Sequence, residues 1–113
     1  MSKEHLATRY TFEFCDGSTC EMTLAFIQLK RLSSKSKSLY DRCQKIMTNG
    51  GKDEFDILTV LYTAYVCANM NNEILLTEDE FIEKCGSDRQ ALSDAFIALT
   101  TPKKQKASVN RLS

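Results

Sequence analysis

The side chains of this chain that could do chemistry are five cysteines, one histidine and a run of carboxylates, and their spacing limits what each can do. Cys15, Cys20, Cys43, Cys67 and Cys85 form no CxxC pair, and His5 stands alone near the N-terminus, so the ligand set of a structural zinc site cannot be assembled. Cys15 and Cys20 flank a turn signal where a thiol is accessible, but no neighbouring cation or helix N-terminus is evident to activate it. The cysteines read as free thiols of a reducing compartment, with Cys43 and Cys67 as small core residues. Glu78, Asp79, Glu80 and Glu83 look like a carboxylate cluster. They fall in and just after the first turn of an expected helix, where the dipole favours acids, and the DxDxDG pattern of a calcium loop is absent. No nucleophile can be matched with a base. The expectation is a protein without enzymatic activity, metal or cofactor.

Charge removes further classes. Fifteen basic and fifteen acidic residues cancel, which takes away the global attraction to nucleic acid or to an anionic membrane surface. The run KRLSSKSKS lacks interleaved aromatics and reads as a solvated hinge. No stretch offers the roughly 20 apolar residues of a membrane span or the apolar core of a signal peptide, so a cytosolic protein is expected. A chain of 113 residues fits a single domain, placed here at 1–101. Residues 102–113 carry Lys103, Lys104, Lys106 and Arg111 and no acidic side chain, and are expected to be a disordered basic tail.

The elements that would position any site are organised around residues 54–69, an expected helix. Between Ile57 and Ala68 only Thr59 and Thr63 are polar; with Asp56 they fall on one narrow helical line, so the helix should show water a thin stripe and bury the rest. Asp53 caps it. Ahead of it, Tyr10 to Phe14 alternates apolar and polar residues, as a half-buried strand does, and Asp16-Gly17 turns the chain into a second strand ending at Met22. A two-residue turn would set Phe14 against Thr19 and mix the faces. A three-residue loop of Cys15, Asp16 and a left-handed Gly17 instead opposes Phe12 to Cys20 and Tyr10 to Met22, keeping one face apolar. That face must lie on the helices or join a sheet in another subunit.

Thr23 is the expected cap of a helix at about 24–32 that turns Leu24, Phe26, Ile27, Leu29 and Leu32 inward. A break around Ser33 to Ser36 leads to a helix at about 37–48 with Leu39, Tyr40, Cys43, Ile46 and Met47 on one face, ended by Asn49-Gly50-Gly51. Thr77 and Glu80 form a capping box for a short helix at 78–85, with Leu76 and Phe81 as its hydrophobic staple. Gly86 closes that helix. Ser87 and Gln90 make a second box for a helix at 88–100, which carries Leu92, Ala95, Phe96 and Leu99 in one stripe. The fold class is therefore α+β, mainly α: an N-terminal β-hairpin at 10–22 followed by about five helices around a central apolar one. The pair at 77–100 superficially matches a helix-turn-helix, so a small DNA-binding or regulatory protein is the rival functional expectation. Its first helix is acidic and its second has only Arg89 as a basic residue, a poor match to phosphates.

Taken in order, the strand with its Asp-Gly turn, TLAFIQLKRL, SLYDRCQKIM, DEFDILTVLYTAYVCANMNN and LTEDEFIEKC resemble the tail assembly chaperones of long-tailed phages and prophages of Gram-positive bacteria, over Tyr10 to Leu99. The resemblance implies a small non-enzymatic helper in the host cytoplasm that coats the tape measure protein and helps recruit tail tube subunits. It also implies, for many such proteins, a longer frameshifted form able to reach the tube protein. Pro102-Lys103-Lys104 is the place where such a slip would leave the folded part intact, although paired lysines also simply solubilise a tail. No motif carries over the contact residues. Exposed aromatic and methionine positions near the hairpin and central helix are the expected ones: Tyr10, Phe12, Met22, Tyr62, Tyr65 and Met70, each of which could equally fill the core. Self-association is expected, and neither nucleic acid nor membrane is an expected partner.

Overall fold

The Asp16-Gly17 turn closes the hairpin as the three-residue loop requires. In the computed structural model, which describes residues 9–50 and 53–101, Gly17 has φ +91° and its N–H donates to the Phe14 carbonyl, while the Phe14 N–H donates to Ser18. Strands β1 (Arg9–Glu13) and β2 (Thr19–Thr23) then pair antiparallel with Tyr10 opposite Met22 and Phe12 opposite Cys20, the expected register. Phe12, Phe14 and Met22 are buried on the helices, so the hairpin's apolar face is covered within its own chain. The Asp16 carboxylate locks the turn by accepting from the backbone N–H and hydroxyl of Ser18 and from Lys84.

Five helices follow among the described residues: α1 (Phe26–Lys35), α2 (Lys37–Asn49), α3 (Glu54–Ala68), α4 (Glu78–Cys85) and α5 (Arg89–Thr100). The architecture is α+β and mainly α, as expected, with α3 packed against β2 and all four other helices. Asp53 caps α3 by accepting from the Asp56 N–H. The reciprocal box of Thr77 and Glu80 opens α4. The basic tail and its Lys103-Lys104 pair, like His5, lie outside the described residues.

Four local expectations are corrected. Helix α1 begins at Phe26 rather than Leu24, because the Thr23 hydroxyl accepts from the Ala25 N–H and holds an extended turn; Ala25 takes the N-cap position with no side-chain bond. Phe26 and Ile27 consequently point to solvent, and only Leu29 and Leu32 of the expected face are fully buried. At α5 the cap is Asp88, which accepts from the Ala91 N–H, and Gln90 bonds Asp94 instead of completing a box with Ser87.

The fourth correction concerns α3. Thr59 and Thr63 do not face water: both are buried, and from Leu58 to Cys67 only Tyr62 keeps partial exposure. Each threonine hydroxyl donates to the carbonyl one turn back, Thr59 to Phe55 at 3.0 Å and Thr63 to Thr59 at 2.7 Å. A hydroxyl satisfied in this way can be buried at little cost. The two small side chains let α2 lie over this side, placing Cys43 beside Thr63 and Arg42 over Thr59, where Arg42 also forms a two-pronged pair with Glu78.

Candidate partner-binding surfaces

The six positions expected to meet a partner separate into four environments. Met22 lies wholly in the core. Tyr65 is buried and Tyr62 half-buried in an aromatic cluster with Phe81, whose ring centroid lies 5.4 Å from Tyr62, 5.3 Å from Tyr65 and 5.8 Å from Phe14. The two tyrosines also hold the backbone of the chain that leads into α4. The Tyr62 hydroxyl donates to the Leu76 carbonyl, and the Leu76 N–H donates to the Tyr65 hydroxyl, both at 2.9 Å. Met22, Phe12 and Tyr65 thus fill the core, and the exposure expected of them does not hold. Tyr10, Tyr62 and Met70 remain partly exposed.

Tyr10 and Phe12 come together at a different feature, a groove of about 640 Å³ between β1 and α5. Its floor includes Phe12, Phe14 and Cys85, and Glu13, Asp88 and Asp94 stand along it. Met70 lines a second recess of about 330 Å³ with Gln28 and the basic residues Arg31 and Lys35 of α1. Here Gln28 is held in place by donating to the Cys67 carbonyl at the end of α3.

Helical periodicity does not reveal the large apolar residues that the fold exposes. Phe26 is 89% exposed, Phe55 72% and Ile74 85%, with Ile27, Met47 and Ile97 less so. Phe26 and Phe55 lie in the first turns of their helices, and Ile74 in the α3–α4 connection, places where an apolar residue contributes little to the core. A signal was present for Phe55: it stands among Asp53, Glu54 and Asp56, acids of a solvated first turn.

The thiols offer little reactivity. Burial pushes Cys20, Cys67 and Cys85 up to about 12, and raises Cys43 as well, so these four are protonated at neutral pH. Cys15 is exposed at the hairpin loop. Iodoacetamide at pH 8 is expected to alkylate Cys15 in the native protein and all five thiols only after denaturation; intact-mass measurement showing early modification of Cys43, Cys67 or Cys85 would contradict the burial. Among the described residues no group of His, Cys, Asp and Glu is arranged to hold a metal, and no helix is long and apolar enough to cross a membrane.

The Asp16 carboxyl is held well below the usual carboxylate range, chiefly by the hydrogen bonds from Ser18, then by Lys84. A depressed folded-state value means stability that is present above the unfolded aspartate's value near about 3.9 and lost as pH falls below it. Asp16→Asn is therefore expected to flatten the fall in stability between roughly pH 4 and pH 2. Urea midpoints of the two proteins across that range check it; parallel curves would contradict it.

No protein-family model, curated protein or solved structure matches this chain.

Proposed function

We propose that the chain is a tail assembly chaperone of a long-tailed phage or prophage, acting without catalysis in the host cytoplasm. It binds the tape measure protein, helps recruit tail tube subunits, and self-associates as it does so; a longer frameshifted product would extend its reach to the tube protein. The reading rests on the resemblance of Tyr10 to Leu99. The structural observation that most favours it is the set of large apolar side chains, led by Phe26, Phe55 and Ile74, left in water by the chain's own fold. A tape measure presents long apolar helical stripes, and adaptable apolar side chains on a small helical protein suit repeated coverage of them.

The DNA-binding alternative is disfavoured by the charges of α4 and α5. Arg89, the one basic residue of α5, is paired with Glu54, and Asp88 at its N-cap and Asp94 within it stand exposed. Phosphate contacts would have to be made through an acidic face.

Co-expression with a cognate tape measure protein is expected to give a soluble complex that co-purifies, and Phe26→Asp with Phe55→Asp to weaken that complex without unfolding the chaperone. An insoluble, uncomplexed tape measure, or salt-sensitive binding to duplex DNA in place of the complex, would overturn the reading.

A further inference from the structure

The two edges of the hairpin are treated differently by the rest of the chain. In an antiparallel ladder, alternate residues exchange backbone bonds with the partner strand and the intervening ones aim their N–H and C=O groups outward. The Phe14 bond to Ser18 sets the phase, so Tyr10, Phe12 and Phe14 face β2 while Thr11 and Glu13 present their backbone groups on the outer edge of β1. On the β2 side, the Asn69 side-chain amide donates to the Glu21 carbonyl, where the end of α3 covers the edge. On the β1 side, the Cys15 N–H is bonded to the Lys84 carbonyl, which ties down the loop, but among the described residues the backbone N–H groups of Thr11 and Glu13 have no backbone partner. That open edge is one wall of the groove whose other wall is α5.

The groove is acidic. Glu13, Asp88 and Asp94 line it, no basic residue does, and none of the three is in an ion pair among the described residues. Its floor is apolar, from Phe12, Phe14 and Ala91. An exposed edge with unpaired N–H and C=O groups accepts an added strand, and side chains alternating along that strand meet the floor and the rim in turn. A second copy of β1 is a poor occupant, because edge-to-edge pairing would bring the two sets of carboxylates together.

We infer that the β1–α5 groove binds an extended basic segment of another protein by strand addition, pairing it with Thr11 and Glu13 while lysine or arginine side chains meet Glu13, Asp88 and Asp94. This surface is separate from Phe26 and Phe55, and its use does not depend on whether the chain handles a tape measure.

The probe is a fluorescein-labelled decapeptide of alternating lysine and valine, titrated onto the full chain. Binding is expected, with the Thr11 and Glu13 amides becoming protected from hydrogen exchange. Thr11→Pro removes one outward N–H and leaves the β1–β2 backbone bonds in place, as proline on an edge strand can, losing only the exposed Thr11 hydroxyl bond to the Glu21 carboxylate; it is expected to weaken binding at least tenfold with an unchanged circular dichroism spectrum. Glu13→Lys with Asp94→Lys should shift preference to a glutamate-valine peptide, a readout that survives if the proline variant fails to fold. Equal binding of a backbone N-methylated lysine-valine peptide would overturn strand addition. Binding seen only after deletion of residues 102–113 would overturn the foreign occupant in favour of the chain's own basic residues, and a dimer dissolved by Thr11→Pro would do so in favour of a second copy.

Discussion

Phe81→Ala is expected to destabilise the protein by about 3–5 kcal/mol, the usual cost of emptying a buried aromatic site. Phe81 has no exposed surface, and its ring touches the tyrosine pair on one side and Phe14 of the hairpin on another, so the cavity would open where three parts of the chain meet. Collapse around the cavity is hindered because Tyr62 and Tyr65 are fixed by their bonds to Leu76. For a domain of this size each kcal/mol lowers Tm by about 4 °C, so a drop of roughly 12–20 °C is anticipated. Phe26→Ala is the control of the same chemistry: an exposed ring should cost within about 0.5 kcal/mol. Urea unfolding of both variants tests the contrast, and similar midpoints would mean that Phe81 is not the keystone of the aromatic cluster.

Gly86→Ala should cost about 2–3 kcal/mol, from two sources that can be separated. Gly86 has φ +70° and ψ −149°, a region open in practice only to glycine, where a side chain adds about 1–3 kcal/mol of strain. A Cβ there would also lie 3.0 Å from the Cys15 Cβ and 3.3 Å from its Sγ. The Cys15 Cβ cannot retreat easily, since the Cys15 N–H is bonded to the Lys84 carbonyl two residues before the glycine, whereas the Sγ can turn away. In a double-mutant cycle Cys15→Gly should recover the contact part of the loss and leave the backbone part. A cycle with no coupling would show that the approach of loop and helix end is loose.

Local rules hold where a single physical cause acts. The hairpin register is legible because Phe12 and Tyr10 can be kept on one apolar face only by a loop ending in a left-handed Gly17. The Thr77–Glu80 box is legible because both partners are close in sequence. Thr59 and Thr63 depart from expectation because polarity alone does not mean exposure: a threonine in a helix can satisfy its hydroxyl on the preceding turn and be buried. Thr23 and Ser87 depart from it for a related reason. A hydroxyl next to a helix start has more than one backbone N–H within reach, and at α5 Asp88 is the stronger acceptor one residue on.

The candidate groove is half visible in the sequence. Alternation marks Tyr10 and Phe12 as apolar, but the wall opposite them is built from Asp88, Ala91 and Asp94, far along the chain. Which edge of the hairpin stays open depends on where α3 ends and where Asn69 can reach, a tertiary fact with no local signature. The exposed Phe26 and Ile27 follow from the same cause as the shifted start of α1.

The bonds at the two ends of the α3–α4 connection also set how the chain tolerates changes of length. Asn69 is anchored to Glu21 and to the last turn of α3, and Leu76 is bracketed through its backbone by two phenols. The stretch between them, Asn71 to Ile74, is exposed. Asn72 is itself tied to Asn69 by its backbone N–H and its side-chain amide, so an insertion placed after it leaves the anchors at both ends in place and adds mainly loop-closure entropy, about 0.6 kcal/mol for each doubling of loop length. The spacing between the two helices is thereby uncoupled from their packing, and the connection is a place where an added segment can be carried without altering the helices on either side.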